Sequence, residues 1–319
     1  MAKTPAASSG RSRRAAKRSD DLFREVAGFT DVGLVREGNE DAMLLLDDHR
    51  LYVVADGMGG HACGEVASAF TIEAMKAFYG SADLSARVEA AFARASKQPE
   101  EAGLVDDSPH GLRLRKAVES ANISVYRMAQ QHEQLRDMGT TVVAVAFADR
   151  RAWVANVGDS RAYLVRRKGH RIAIQQVTED HSLLNEYIKM NLLGPAEIEA
   201  FPYKNVIVRA LGLQEQVTVD VFSLDVAPGD QFLLCSDGLT DLVRDHELAT
   251  ILDDAPSAAA ACHRLIDLAK ERGGIDNITT VIVRLHERRP AKGTEGAIPP
   301  PPSSPPPSTP PPSEPAPSD

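Results

Sequence analysis

Cysteine is scarce in this 319-residue chain: Cys63, Cys235 and Cys262 lie far apart and form no C-x-x-C pair. That excludes a disulfide framework and a thiolate zinc site, and it fits a reducing compartment in which the thiols are small core residues. No apolar run approaches the roughly 20 residues that span a bilayer, and the N-terminal stretch lacks the apolar middle of a secretory signal. A cytoplasmic protein without a membrane span is the expectation. A nucleotide cradle is missing too, because DGMGGHACGE (56–65) carries neither the lysine nor the hydroxyl that a P-loop places after its glycines. A serine hydrolase drawn from Asp56, His61 and Ser236 would need a G-x-S-x-G elbow, which is absent. An aspartate directly after that serine suits a cation better than an acyl-enzyme.

What is present is a chain with 43% hydrophobic residues, enough for one large domain or two small ones. Its net charge of −9 is unevenly spread. Residues 1–20 hold Lys3, Arg11, Arg13, Arg14, Lys17 and Arg18 against Asp20 alone, so the body between the two ends is more acidic than the total. An acidic body argues against nucleic acid as the main ligand and is compatible with a cation site. Residues 1–22 read as a basic disordered arm. At the other end, 12 of the 21 residues from Pro299 to Asp319 are proline, so 289–319 reads as an extended, disordered tail.

Between these arms, in 23–288, apolar runs of strand length dominate: AMLLL, LYVVA, TTVVAVAFA, RAWVANV, RAYLV, HRIAIQQV, VTVDVFSLDV, DQFLLCS and NITTVIVRL. Short polar turns at 47–50, 148–151 and 166–169 favour antiparallel hairpins. Helical patterns interrupt the strands at 63–79, 112–131 and 257–273, the last stopped by Gly273 and Gly274. Residues 95–111 read as a surface loop and 183–205 as an irregular excursion. The predicted class is α+β, an antiparallel β-sandwich flanked by helices on both sides in four layers.

Acidic residues recur where apolar runs meet loops: Glu40 and Asp41 after Arg36, then Asp56, Asp159, Asp237 and Asp276. One strand-end aspartate is usually a turn former. Five such places in one domain need a different account, because clustered carboxylates raise one another's pKa and destabilise a fold unless a positive charge joins them. Oxygen ligands without histidine or cysteine suit hard ions, so Mg²⁺ or Mn²⁺ is expected. Gly57, Gly158 and Gly238, beside three of the acids, let backbone come close to such a site. The Arg36 guanidinium is suited to a phosphate oxyanion.

The ordered set REGNED, VADGMGGH, GTT, VGDSR, TEDHS, VRALG, LLCSDGLTD and DNITTV resembles the metal-dependent serine/threonine protein phosphatases, the PPM or type 2C family, in their compact bacterial form. The resemblance covers about residues 25–286. It implies hydrolysis of phosphoserine and phosphothreonine in proteins by a hydroxide bridging two Mn²⁺ or Mg²⁺ ions, reversing intracellular Ser/Thr kinases, in a protein that acts as a monomer. It further implies that Asp56 bridges the two ions, that the Gly57 carbonyl binds one of them, and that Asp237 and Asp276 complete the other. Glu40 would hold the second ion through water, Asp41 is a ligand or its support, Asp159 helps hold a third, weaker ion, and Arg36 binds phosphate. Residues 183–205 match the family's variable flap, but the flap reads NLLGPAEIEAFPYKN in place of a common I-T-x-x-E-A-type pattern, so substrate choice does not transfer. Met58 stands where many eukaryotic members carry a histidine proposed as general acid. His61 or a metal-bound water would have to take that role. The competing reading is a catalytically inactive phosphoprotein-binding scaffold, which would have no need of three mutually repelling carboxylates.

Overall fold

A sheet with one wet face alternates apolar and polar residues, whereas LYVVA and TVVAVAFA are apolar at nearly every position, which requires cover on both faces. The computed structural model describes residues 22–59, 63–97, 108–169 and 171–287. His61, most of the 95–111 loop, the proline-rich tail and the basic arm up to residue 21 lie outside the described residues. One antiparallel sheet orders its strands β1 (Leu22–Asp31), β11 (Ile278–Glu287), β10 (Gln231–Cys235), β7 (Arg161–Lys168) and β8 (Arg171–Gln176). The other orders β2 (Asp41–Leu46), β3 (Leu51–Met58), β5 (Val142–Ala148), β6 (Arg151–Val157) and β9 (Asp220–Asp225), with the two-residue β4 (Gly139–Thr140) pairing on β3.

The period-two geometry of a strand sends alternate residues to opposite faces, and each face meets a different layer. Tyr52, Val54, Val143, Val145, Phe232, Leu234, Val281 and Val283 pack together between the sheets. Val53, Ala55 and Ala144 pack with Met75, Leu114 and Val118 of the helices α1 (Cys63–Gly80) and α3 (Pro109–Gln131). On the far side, Leu233, Cys235 and Ile282 meet Leu248, Cys262 and Leu265 of α7 (Asp245–Asp254) and α8 (Ala258–Glu271). The result is the expected four-layer α+β sandwich. Cys235 and Cys262 are free and buried in it, as small apolar residues would be.

Hairpin turns close the strands at one end, where Leu46 faces Leu51 and Ala148 faces Arg151. Asp149 and Arg150 both have positive φ, the turn geometry that matches strand twist. The opposite strand ends carry the acids: Asp41 lies across from Asp56 in register, Gly158 and Asp159 follow β6, Asp237 follows β10, and Asp276 precedes β11.

The structure departs from the sequence reading in several places: β1 (Leu22–Asp31) is a strand and α7 (Asp245–Asp254) a helix where neither was predicted. β1 begins at Leu22, the last residue assigned to the arm, and its side chain is buried in the sandwich. A helix, α2 (Ala82–Ala95), also stands where none was predicted, with Leu84, Val88 and Phe92 recurring on one face against the core and only Val88 fully buried. The excursion 183–205 contains two short helices, α4 (Leu183–Lys189) and α5 (Pro195–Ala200). VTVDVFSLDV pairs as a strand only from Asp220 to Asp225.

Phe232 is completely buried between the sheets, edge-on to Phe147 with ring centroids 5.2 Å apart. Phe232→Ala is expected to lower unfolding free energy by about 3–5 kcal/mol, read as a lower denaturant midpoint at an unchanged slope. An unaltered midpoint would contradict this packing.

Candidate active site

Asp56 and Glu40 are fixed through their backbones by other segments of the chain. Thr141 N–H and Thr140 Oγ1 both donate to Asp56 O at 2.8 Å, while Asp56 N–H donates to Thr141 Oγ1 at 3.0 Å. Gly57 N–H donates to Glu40 O at 3.0 Å, tying the two acidic segments together. A side chain at position 57 would not fit, since a Cβ there would lie 2.1 Å from Gly64 O and 2.6 Å from Glu40 O. The same holds at Gly238, the residue after Asp237, whose Cβ would lie 2.1 Å from Asn277 O. These two glycines let strands of both sheets and α6 (Asp237–Thr240) converge on one spot.

Asn277 is the clamp on the other side. Its Oδ1 accepts from Glu40 N–H at 2.8 Å, and its Nδ2 donates to Val32 O and Gly38 O. Its own N–H donates to Asp276 Oδ1 at 2.8 Å. Ser236 Oγ donates to Asp41 Oδ2 at 2.7 Å and accepts from Thr279 N–H. Ser236 is thus a buried support for a carboxylate, which leaves it no part as a nucleophile.

The charges are severely crowded. Asp41 and Asp159 are buried, and enclosure pushes both up to about 6, with Asp180 adding to the shift at Asp159. Asp56 and Asp237 keep an edge open to the cleft by surface area, but protein atoms pack densely around both carboxyls. Desolvation, followed by repulsion from Asp41, Asp237 and Asp159, raises Asp56 well above the ordinary carboxylate range. Desolvation and repulsion from Asp159, Asp241 and Asp276 do the same to Asp237. Glu40 is raised as well, mainly by desolvation.

Two oxygens show what is wanting. Asp41 Oδ1 and Asp159 Oδ1 are buried with no hydrogen-bond partner, an arrangement that costs about 1–3 kcal/mol each unless something positive meets them. Among the described residues no three acidic, histidine or cysteine side chains have closed to a finished coordination cage. The arrangement is a set of carboxylates that converge on one end of the sandwich without closing on a common point. Their all-oxygen chemistry, orphaned atoms and upward shifts fit hard divalent cations.

Arg36 is half exposed, and its Nη2 donates to Asp276 Oδ2 at 2.7 Å. The residue predicted to bind phosphate therefore sits against one of the predicted metal ligands, beside Glu40 in a cleft of about 460 Å³. A second cavity of about 630 Å³ is lined by Asp159, Asp237 and Asp241 with Leu184 and Ile198 of the flap. Sequence reasoning brought Arg36, Glu40, Asp41, Asp56, Gly57, Asp159, Asp237 and Asp276 to attention, and the fold gathers all of them at one end of the sandwich. It missed Thr140, Thr141, Asn277 and Asp241. All four lie inside quoted motifs, where their polar side chains next to buried strands were the available signal.

The fold and site agree with known proteins. The protein phosphatase 2C family model matches residues 36–271. The chain is 34% identical over 257 residues to the serine/threonine phosphatase stp of Listeria welshimeri, covering 80% of this chain and 93% of that protein. It is 36% identical over 264 residues to the serine/threonine protein phosphatase PstP of Mycobacterium tuberculosis, covering 82% of this chain and 45% of that protein. The crystal structure of the PstP catalytic domain in complex with two manganese ions superposes with a TM-score of 0.65 at 33% identity, covering 83% of this chain and 99% of that one. The chain belongs to the protein phosphatase 2C family, in its bacterial form. That is a family of metal-dependent protein phosphatases, and its fold is the sandwich described above.

The raised carboxylates give metal binding a pH dependence of definite sign. A group whose pKa is higher folded than unfolded holds a proton that the unfolded chain has lost, so it destabilises the metal-free fold increasingly as pH climbs from about 4 through about 6 and above. Cations displace those protons. The rise in melting temperature on adding Mn²⁺ is therefore expected to be larger at about pH 7.5 than at about pH 5, measured by scanning calorimetry. An equal rise at both would count against the assignment.

Proposed function

We propose that this chain hydrolyses phosphoserine and phosphothreonine esters in proteins, opposing intracellular serine/threonine kinases. The observation that carries the reading is the convergence of Asp41, Asp56, Asp159 and Asp237 from both sheets, two of them with orphaned oxygens, beside the Arg36 guanidinium. On this reading Asp56, Asp237, Asp276, Glu40 and the Gly57 carbonyl hold two divalent ions, with Asp41 supporting Asp56 across the strand pair. When bound, the ions supply an acidified water and neutralise charge on the phosphoryl oxygens.

The remaining work falls to side chains. Arg36 exchanges Asp276 for a phosphoryl oxygen and orients the ester for in-line attack. Asp56, clamped by Thr140 and Thr141, keeps its carboxyl at the strand end as charge redistributes. Leu184, Ile198 and Leu242 give the larger cavity an apolar wall on which substrate residues flanking the phosphate can lie. Met58, next to Gly57, has no proton to give, so the proton for the leaving oxygen has to come from His61 or from a water of the site. Manganese is the favoured ion because a similar catalytic domain holds two of them.

Assays of purified protein on a phosphothreonine peptide test this. A chelator or Asp56→Asn is expected to reduce turnover by about a thousandfold or more, and Mn²⁺ to restore only the chelated wild type. Arg36→Ala is expected to lower kcat/KM by about a hundredfold through weaker phosphate positioning. Turnover that survives chelation would sink the proposal.

A further inference from the structure

His181 has no role in the account so far, yet it is 2% exposed and lies where three segments cross. Its backbone N–H donates to Gly158 O at 2.9 Å, and Gly158 N–H donates back to His181 Nδ1 at 3.0 Å. This reciprocal clasp holds the residue immediately before Asp159. Gly158 needs holding, since its φ is +108° and a Cβ there would lie 2.6 Å from the Thr141 side chain. Because Nδ1 accepts, the ring proton sits on Nε2 and is donated to Asp220 Oδ2 at 3.1 Å. Arg209 Nη1 approaches the same nitrogen at 3.0 Å. Both are donors, so the Asp220 carboxylate, which accepts from Arg209 through Oδ1 at 2.9 Å, is what joins them.

The other side of His181 faces the flap. Its carbonyl accepts from Val208 N–H at 2.9 Å, and Leu183 N–H donates to Val206 O at 2.8 Å. Ser182, the next residue, caps α4 by accepting from Asn185 N–H and bridges to Ile207. Both ends of the 183–205 excursion are therefore tied down at the residue that also clasps Gly158. A histidine that merely filled space would have no reason to meet the turn, β9 and the flap in one hydrogen-bonded arrangement.

We propose that His181 is a positioning residue which, braced by Asp220 and Arg209, makes the Gly158–Asp159 turn and the base of the flap one mechanical unit. Its metal-linked consequence rests on the reading of Asp159 as a holder of a third, weaker divalent ion. An ion at Asp159 then steadies the flap, and a substrate segment held by the flap tightens the ion by the same factor, because coupling between two binding events is reciprocal.

The test uses the full chain as wild type, His181→Leu and His181→Asn, the last of which keeps an acceptor for Gly158 N–H. Hydrogen exchange is followed in peptides spanning 153–160 and 182–208, and Mn²⁺ binding by equilibrium dialysis. In His181→Leu both peptides are expected to exchange at least tenfold faster, together, while the weakest class of Mn²⁺ site loses about 10–100-fold in affinity and the tight pair is kept. His181→Asn should recover most of both effects. Should His181→Leu not fold, Asp220→Ala, which removes the brace from a partly exposed position, is read in the same way. Unchanged exchange in either peptide, a change in one without the other, or equal loss of all Mn²⁺ sites would overturn the proposal. A wild type that binds no third ion would instead refute the reading of Asp159, leaving the exchange result to decide the clasp.

Discussion

Carboxylates brought together away from water repel one another, and this structure gathers five of them at one end of a β-sandwich. Asp41 and Asp56 face each other across a strand pair, Asp159 and Asp237 lie within coulombic reach, and Asp276 is close enough to perturb Asp237. Such a cluster works against the fold that contains it. It persists because several of the acids are held by backbone and by neutral hydrogen-bonding side chains: Thr140 and Thr141 on Asp56, Ser236 on Asp41, Asn277 between Glu40 and Asp276. The stored repulsion becomes affinity for whatever positive charge can enter.

The rest of the architecture follows from having to hold that end rigid. Two sheets covered on both faces give fixed strands, and the hairpins sit at the far pole, where their loops leave the acids undisturbed. Glycines at 57 and 238 allow chain segments to approach more closely than any side chain would permit. Arg36 lines a cleft beside Glu40, and the flap residues Leu184 and Ile198 line a separate cavity with Asp159 and Asp237.

Much of this was legible in the sequence, for reasons that differ by element. Strands apolar on both faces, such as LYVVA, and the hairpin turns at 47–50 and 148–151 are local signals, and they led to the four-layer sandwich. The helix at 82–95 carries a legible stripe in Leu84, Val88 and Phe92 that a reading by apolar runs passes over, whereas β1 leaves little trace because its polar residues break up the apolar pattern while its ladder partner is near the other end of the chain. The acids could be read one by one from their strand-end positions. Their supports could not, because Ser236 meets Asp41 and Asn277 meets Glu40 across nearly two hundred residues or more, and only folding brings them together. The ion pair between Arg36 and Asp276 was hidden for the same reason.

The central claim is that the repelling carboxylates at this end of the sandwich are a site for a pair of divalent cations that share Asp56. Anomalous diffraction from a Mn²⁺-soaked crystal tests it most directly. The account predicts two strong manganese peaks flanking the Asp56 carboxylate, one also near the Gly57 carbonyl. Peaks elsewhere on the surface, or an Asp56 carboxylate that touches no ion at saturating Mn²⁺, would contradict it.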